Sequence, residues 1–268
     1  MSRVIVMTSG KGGVGKTTIT ANLGTALARL NHSVAVIDAD FGLRNLDLLL
    51  GLENRVVYTA LDVLSGDCRL EQALVKDKRT PNLALLPAAQ TRNKTAVTPA
   101  QMKQLSEALS KSYDYVLIDC PAGIEQGFRN AIAGAHEAIV VTTPELSAAR
   151  DADRVVGLLE AAQISPSRLI VNRVRPDMVA AGQMMSVEDV VEILAIPLLG
   201  LVPEDREVIV STNKGEPLVL SAQLPAAGIA ISNIARRIQG EAVPFLDLDM
   251  LNDTFFTRLK RFLNHKVI

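Results

Sequence analysis

Short apolar runs rich in β-branched residues recur along the chain, at 3–8, 33–37 (SVAVI), 83–86, 115–118 (YVLI), 138–142 (AIVVT), 168–172 (RLIVN) and 198–202 (LLGLV). They are nearly continuous rather than alternating. A strand reads this way when both faces of its sheet are covered. Helical periodicity fills stretches between them, at 16–30, 99–110, 147–162, 186–194 and 226–239. Strand alternating with helix predicts an α/β fold, a doubly wound and mostly parallel sheet flanked by helices. No internal repeat or low-complexity linker interrupts the pattern, so one domain is expected over 1–243, followed by a linker at 244–253 and a separate helix at 254–268.

That last segment has its own pattern. Leu251, Phe255, Phe256, Leu259, Phe262 and Leu263 fall on one helical stripe, and Arg258, Lys260, Arg261, Asn264 and His265 take the other side. Three of the six phenylalanines lie within 255–262. A Phe/Leu face beside a Lys/Arg face suits a helix lying in a lipid interface. The same residues also suit a helix docked on the domain. The switch from the acids Asp247, Asp249 and Asp253 to a wholly basic end favours an anionic membrane surface.

Composition narrows the class. With 268 residues, 48% apolar and 21% charged, the chain is long enough for a sizeable core. Formal net charge is -1, so no global attraction to nucleic acid is expected. The two cysteines, Cys68 and Cys120, have no metal or disulfide spacing, which points to a reducing compartment. The N-terminus lacks a signal-peptide pattern, and no apolar run is long enough to span a bilayer. A cytoplasmic protein is expected.

The chemistry concentrates in GKGGVGKTT. Gly10, Gly15, Lys16 and Thr17 match GxxxxGK[ST], between a strand and an amphipathic helix. Glycines let the backbone N–H groups of Gly12, Gly13, Val14, Gly15, Thr17 and Thr18 curl around phosphate oxygens, at a helix N-terminus that favours anions. Lys16 is expected on the β- and γ-phosphates and Thr17 on Mg²⁺. ATP and Mg²⁺ are the implied ligands. Asp38 and Asp40 close one strand and Asp119 another, where ligands of doubly wound sheets bind. Asp119 reads as an acid of the Mg²⁺ shell. A second lysine, Lys11, is one more than nucleotide binding requires.

With Lys11 in place, the loop resembles that of the ParA/MinD family of ATPases, which carry a deviant phosphate loop. DADFGLRNLDLLLG at 38–51, VKDKRTPNLALLPAAQTR at 75–92, DCPAGIE at 119–125, PELSAARDADR at 144–154 and PEDREVIVSTNKGEP at 203–217 extend the resemblance, in its MinD branch, over nearly the whole chain. The resemblance implies an ATP hydrolase that forms a face-to-face dimer with ATP, binds the inner face of the cell membrane reversibly and helps place the division site. Lys11 would then reach phosphate in the other subunit, and Asp40 would orient the attacking water. Asp38, with Thr17 and Asp119, would belong to the Mg²⁺ shell. Asn172 and the stretch starting at Pro203 and Glu204 would contact adenine. Phe255, Phe256, Arg258, Leu259, Lys260, Arg261, Phe262 and Leu263 would form the membrane helix. Arg44, Asn45, Glu53, Asp151 and Asp153 would face a MinC-like division inhibitor and a MinE-like activator. From the residues alone, those five read as ordinary solvated charge.

Other classes remain in view. A DNA-segregating ATPase needs a basic patch for phosphate backbone, whereas the basic cluster here is interleaved with Phe and Leu. An iron protein of the nitrogenase type needs two cysteines per subunit in cluster motifs, which Cys68 and Cys120 do not occupy. A metabolic kinase needs an acceptor pocket, and no residue set identifies one.

Overall fold

The structure is a computed structural model, and it describes residues 2–90 and 97–247. The final helix expected at 254–268, and with it the whole membrane-facing residue set, lies outside the described residues. In chain order the elements are β1 (Arg3–Thr8), α1 (Lys16–Arg29), β2 (Val34–Asp38), α2 (Leu46–Leu49), α3 (Ala60–Ser65), α4 (Leu70–Ala73), β3 (Val75–Lys76), β4 (Leu83–Leu86) and α5 (Pro99–Ser110). They continue with β5 (Tyr115–Asp119), α6 (Gln126–Ile132), β6 (Glu137–Thr142), α7 (Leu146–Ala161), β7 (Ser167–Val174), α8 (Pro176–Ala180), α9 (Val187–Leu194), β8 (Leu198–Pro203), α10 (Arg206–Asn213) and α11 (Ala226–Ile238).

The sheet has eight strands in the order β3-β4-β2-β5-β1-β6-β7-β8, and only the two-residue β3 runs antiparallel. Alternate residues of each central strand feed opposite faces. Val4, Val6, Ile37, Ile118 and Val140 pack into one core with Leu105, Phe128 and Leu159 of the helices. Ile5, Met7, Val36, Leu117 and Val141 pack into the other with Leu23, Leu27 and Ile234. Each central strand is therefore buried on both sides, as the continuous apolar runs require.

Every main run at 3–202 that reads as a strand is one, with ends moved by one or two residues. The short helices α2, α3 and α4, at 46–73, have no counterpart in the periodicity. Four to six residues are too few to nucleate a helix alone. Here Leu46, Leu50 and Ala60 are fully buried, so packing holds these turns in place. In α3, Thr59 also caps Asp62 reciprocally, a local signal for a helix start.

From β1 the chain fans out in both directions, with β5 and β6 as its two neighbours. At such a reversal of strand order, crossover connections diverge and leave a crevice beyond the carboxyl ends of the strands. The loop after β1 lies at that crevice.

Candidate functional site

The loop from Gly10 to Gly15 joins β1 to α1. Gly15 has φ 90°, a left-handed conformation that side chains avoid, and an added Cβ would collide with the Asn172 amide. Asn172 in β7 donates from Nδ2 to the Val14 carbonyl at 2.8 Å, propping the loop from a strand 158 residues away. Gly10 has a different reason to be glycine. A Cβ there would strike the Asp151 carbonyl group, so the loop leans directly on the first turns of α7.

The two lysines part company. Lys16 is buried, and its Nζ donates to Asp119 Oδ1 at 2.8 Å and to Thr17 Oγ1 at 3.3 Å. Burial works against its charge, but the neighbouring Asp119 carboxylate outweighs burial and raises the ammonium pKa above the usual lysine value. Lys11 instead points out of the loop. Its half-exposed Nζ lies 3.8 Å from Glu145 Oε2 and 3.3 Å from Ser147 Oγ, both at the start of α7.

Beneath the loop are the carboxylates. Asp38 and Asp119 are register partners on adjacent parallel strands, and each is 1% exposed. Asp119 Oδ2 accepts from Thr17 Oγ1 at 2.8 Å, and Thr20 Oγ1 lies 2.9 Å from Asp119 Oδ1. Thr20 is also 3.0 Å from the Lys16 carbonyl, so its single proton serves one of the two acceptors. Asp38 accepts from the backbone N–H of Asp40 at 3.0 Å and of Leu46 at 3.2 Å. Burial, and then repulsion from Asp119, push Asp38 up to about 7 despite those bonds.

Two buried acids on neighbouring strands fit a divalent cation, whose charge would relieve both burial and repulsion. Among the described residues no group of three or more His, Cys, Asp or Glu is arranged to hold a metal ion. Mg²⁺ takes one or two carboxylates and completes its shell from waters and substrate phosphates. Thr17, Asp38 and Asp119 are the residues that would hold it.

Two cavities that share Gly15, Thr18 and Arg173 meet at this loop. One, of about 470 Å³, is lined by Lys11, Gly12, Gly13, Val14, Lys16, Thr17, Asp40 and Asn45. The other, of about 370 Å³, is lined by Asn172, Pro203, Glu204 and Ile209. The first gathers the phosphate-directed residues, and the second gathers those read as adenine contacts. A further cleft of about 400 Å³ lies against α10, where Arg79 and Lys214 face Glu207 and Glu216. It carries balanced charge and no phosphate loop.

The five residues read as a partner surface separate. Asn45 is exposed in the larger cavity. Arg44 turns inward, its Nε 2.8 Å from Asp47 Oδ2. Glu53 is half-buried in a 3-10 turn, Glu53–Arg55. Asp151 and Asp153 lie on α7, Asp153 exposed and Asp151 3.9 Å from Arg154. Sequence reasoning missed Thr20 and Arg173. Thr20 is four residues after Lys16 and so on the same helix face, a spacing that could have found it. Arg173, at φ 56°, bears no such signal. Cys120 is wholly buried, which pushes its thiol up to about 12, while Cys68 is half-buried.

Strand order, a glycine loop from β1 into α1 and paired acids at strand ends define a P-loop nucleotide-binding protein. The family model "CobQ/CobB/MinD/ParA nucleotide binding domain" matches residues 5–218, and the chain belongs to this family of nucleotide-binding ATPase folds, in its MinD/ParA branch. It is 62% identical over 261 residues to a septum site-determining protein MinD of Synechocystis, covering 97% of this chain and 98% of the relative. Among solved structures it resembles the MinC:MinD cell division protein complex of Aquifex aeolicus, at 50% identity and TM-score 0.85, covering 92% of this chain and 99% of that one. It also resembles the septum site-determining MinD of Pyrococcus horikoshii complexed with Mg-ADP, at 33% identity and TM-score 0.82, covering 90% and 97%.

Proposed function

We propose that this chain is an Mg²⁺-dependent ATPase that dimerises face to face with ATP, holds to the membrane as a dimer, recruits a MinC-like division inhibitor and leaves the membrane on hydrolysis. One observation supports this reading most. Lys16 is turned in toward Asp119, while Lys11 is turned out of its own loop. This difference supports a reading in which Lys16 serves the chain's own nucleotide and Lys11 a neighbour's.

The roles follow from position. Backbone N–H groups of the loop and the α1 N-terminus receive phosphate oxygens. Lys16 leaves Asp119 for the β- and γ-phosphates. Thr17, Asp38 and Asp119 would hold Mg²⁺, which would supply positive charge against the phosphates. Asp40, in the same cavity, accepts a hydrogen bond from the attacking water and aligns it. Lys11 from the partner adds a positive charge where the transferred phosphoryl group spreads its negative charge, the role that an arginine finger fills at about 10³–10⁵ in rate. Asn172, Pro203 and Glu204 line the base end.

Both partner-facing segments border the loop. Asn45 shares the cavity with Lys11, and the backbone of Asp151 abuts Gly10. A MinC-like inhibitor and a MinE-like activator that reach Arg44, Asn45, Glu53, Asp151 and Asp153 would therefore sense the nucleotide and the dimer together. No described helix is long and apolar enough to cross a membrane. Reversible attachment through the amphipathic residues at 254–268 is therefore the proposed mode. Two weak helices on one dimer gain about 10²–10⁴-fold by avidity.

The test compares wild type with Lys11→Ala, each with ATP and with ADP, by sedimentation velocity and by co-sedimentation with anionic vesicles. Wild type is expected to dimerise and pellet only with ATP. Lys11→Ala is expected to bind nucleotide but to stay monomeric and soluble. An ATP-dependent dimer of Lys11→Ala would end this account of the lysine.

A further inference from the structure

The segment that carries Asp40 is closed in two places. At its base, the Asp38 carboxylate accepts from the N–H groups of Asp40 and Leu46. Across its far end, Arg44 Nε lies 2.8 Å from Asp47 Oδ2. Between the two, the Arg44 N–H reaches the Asp40 carbonyl at 3.3 Å. Arg44 makes this closure at φ 45°, a left-handed conformation that a bulky side chain avoids unless its surroundings impose it. Asp47 is 1% exposed. Its Oδ1 accepts from the Leu48 N–H at 3.0 Å, which leaves Oδ2 to the guanidinium of Arg44. Neither Arg44 Nε nor Asp47 Oδ2 has a hydrogen-bond partner among the described residues, so the two meet as a close ion pair rather than an aligned hydrogen bond.

A buried carboxylate whose free oxygen faces one guanidinium, itself on a strained turn, is a fastening. The residue fastened is Asp40, four positions before Arg44, which lines the cavity with Lys16 and Thr17. We propose that Asp47 is a positioning residue for hydrolysis: through Arg44 it fixes the turn that presents Asp40 to the attacking water. It touches neither nucleotide nor metal. The proposal rests on the ATPase reading above, and on Asp40 as the group that aligns water.

The geometry implies a split between binding and turnover. No hydrogen bond among the described residues ties the phosphate loop, Lys16 or the base end to the turn at 40–47, so nucleotide affinity should survive its loosening. Alignment of water should not, because a misplacement of about 1 Å at a catalytic group can cost on the order of 10²-fold in rate. In Asp47→Asn, kcat for Mg-ATP hydrolysis is expected to fall by about 10-fold or more, with KM for ATP and affinity for ADP within about twofold of wild type.

A purely structural role is separated by a second variant. Arg44→Met with Asp47→Leu removes both buried charges together, so no unpaired charge is left behind. Its Tm is expected to return toward wild type while kcat stays low. Should the single variant fail to fold, the double variant carries the test alone. Recovery of kcat together with Tm overturns the proposal, as does a folded Asp47→Asn with unchanged kcat. A wild-type chain with no Mg²⁺-dependent turnover overturns the ATPase reading and this one together. Wild-type turnover with an indifferent Asp47→Asn overturns this one alone.

Discussion

Asp38→Asn puts the electrostatic reading of the site to a quantitative test. In the chain without nucleotide or metal, burial and the adjacent Asp119 hold the Asp38 carboxyl near pH 7, against an ordinary value of 3.8. The folded state therefore keeps this proton over a range in which the unfolded chain has released it. A raised carboxyl pKa costs stability as pH rises, from about 4 up to about 7, and the full cost remains above that. The gap of about three units corresponds to roughly 4 kcal/mol, of which roughly 2 kcal/mol accrues between pH 5 and pH 7. Asparagine keeps the shape and removes the charge. Its amide cannot accept from both the Asp40 and Leu46 N–H groups, so the variant gives up one hydrogen bond, at about 1–3 kcal/mol whatever the pH. The pH dependence is the diagnostic quantity. Relative to wild type, Asp38→Asn should gain roughly 3 kcal/mol between pH 5 and pH 8. It should also lose Mg²⁺-dependent turnover. Urea denaturation in EDTA, at several pH values between these limits, measures the difference directly. Parallel stability curves for the two proteins would refute the claim that this site is assembled from buried charge awaiting a cation.

Two further outcomes follow from the same geometry. Gly10→Ala drives a methyl group into the Asp151 backbone, so the loop or α7 must yield; the expected cost is about 1–3 kcal/mol, with weakened ADP binding, and calorimetry showing both unchanged would contradict the close packing described. Glu137 lies between Arg3, at 2.6 Å, and Arg168, at 2.9 Å. Burial works to raise its pKa, but the hydrogen bond and charge of Arg3, aided by Arg168, hold it below the usual value. Its contribution is thus present above about pH 4.5 and lost as pH falls through the lower folded value. Glu137→Gln should cost about 1–3 kcal/mol at pH 7 and progressively less below pH 4, as read by thermal unfolding; a cost independent of pH would rule the charge out as its source.

The strands that the apolar runs mark are the strands of the sheet, because burial on both faces leaves a continuous signature in the chain itself. The phosphate loop is equally local. Its glycines, Lys16 and Thr17 act within eight residues, so spacing alone reveals them. The small helices at 46–73 escape that reading, since four to six residues form a helix only when something larger packs on them. Residues 248–268, where the amphipathic stripe lies, are outside the described structure.

The α/β class, the nucleotide loop and the set of acids available to it are therefore written in local pattern and spacing. How these groups meet is a matter of long-range packing. Asp38 and Asp119 are 81 residues apart in the chain, and become neighbours because β5 slots in between β1 and β2 in parallel register. Asn172 reaches Val14 because β7 lies on the same sheet two strands from β1. Lys11 turns outward because α7 offers Glu145 and Ser147 there, and Arg44 turns inward because Asp47 is buried beneath it. Periodicity and spacing record what a residue does with its near neighbours. The direction of a side chain depends on which distant segment supplies its partner, and that is settled by packing.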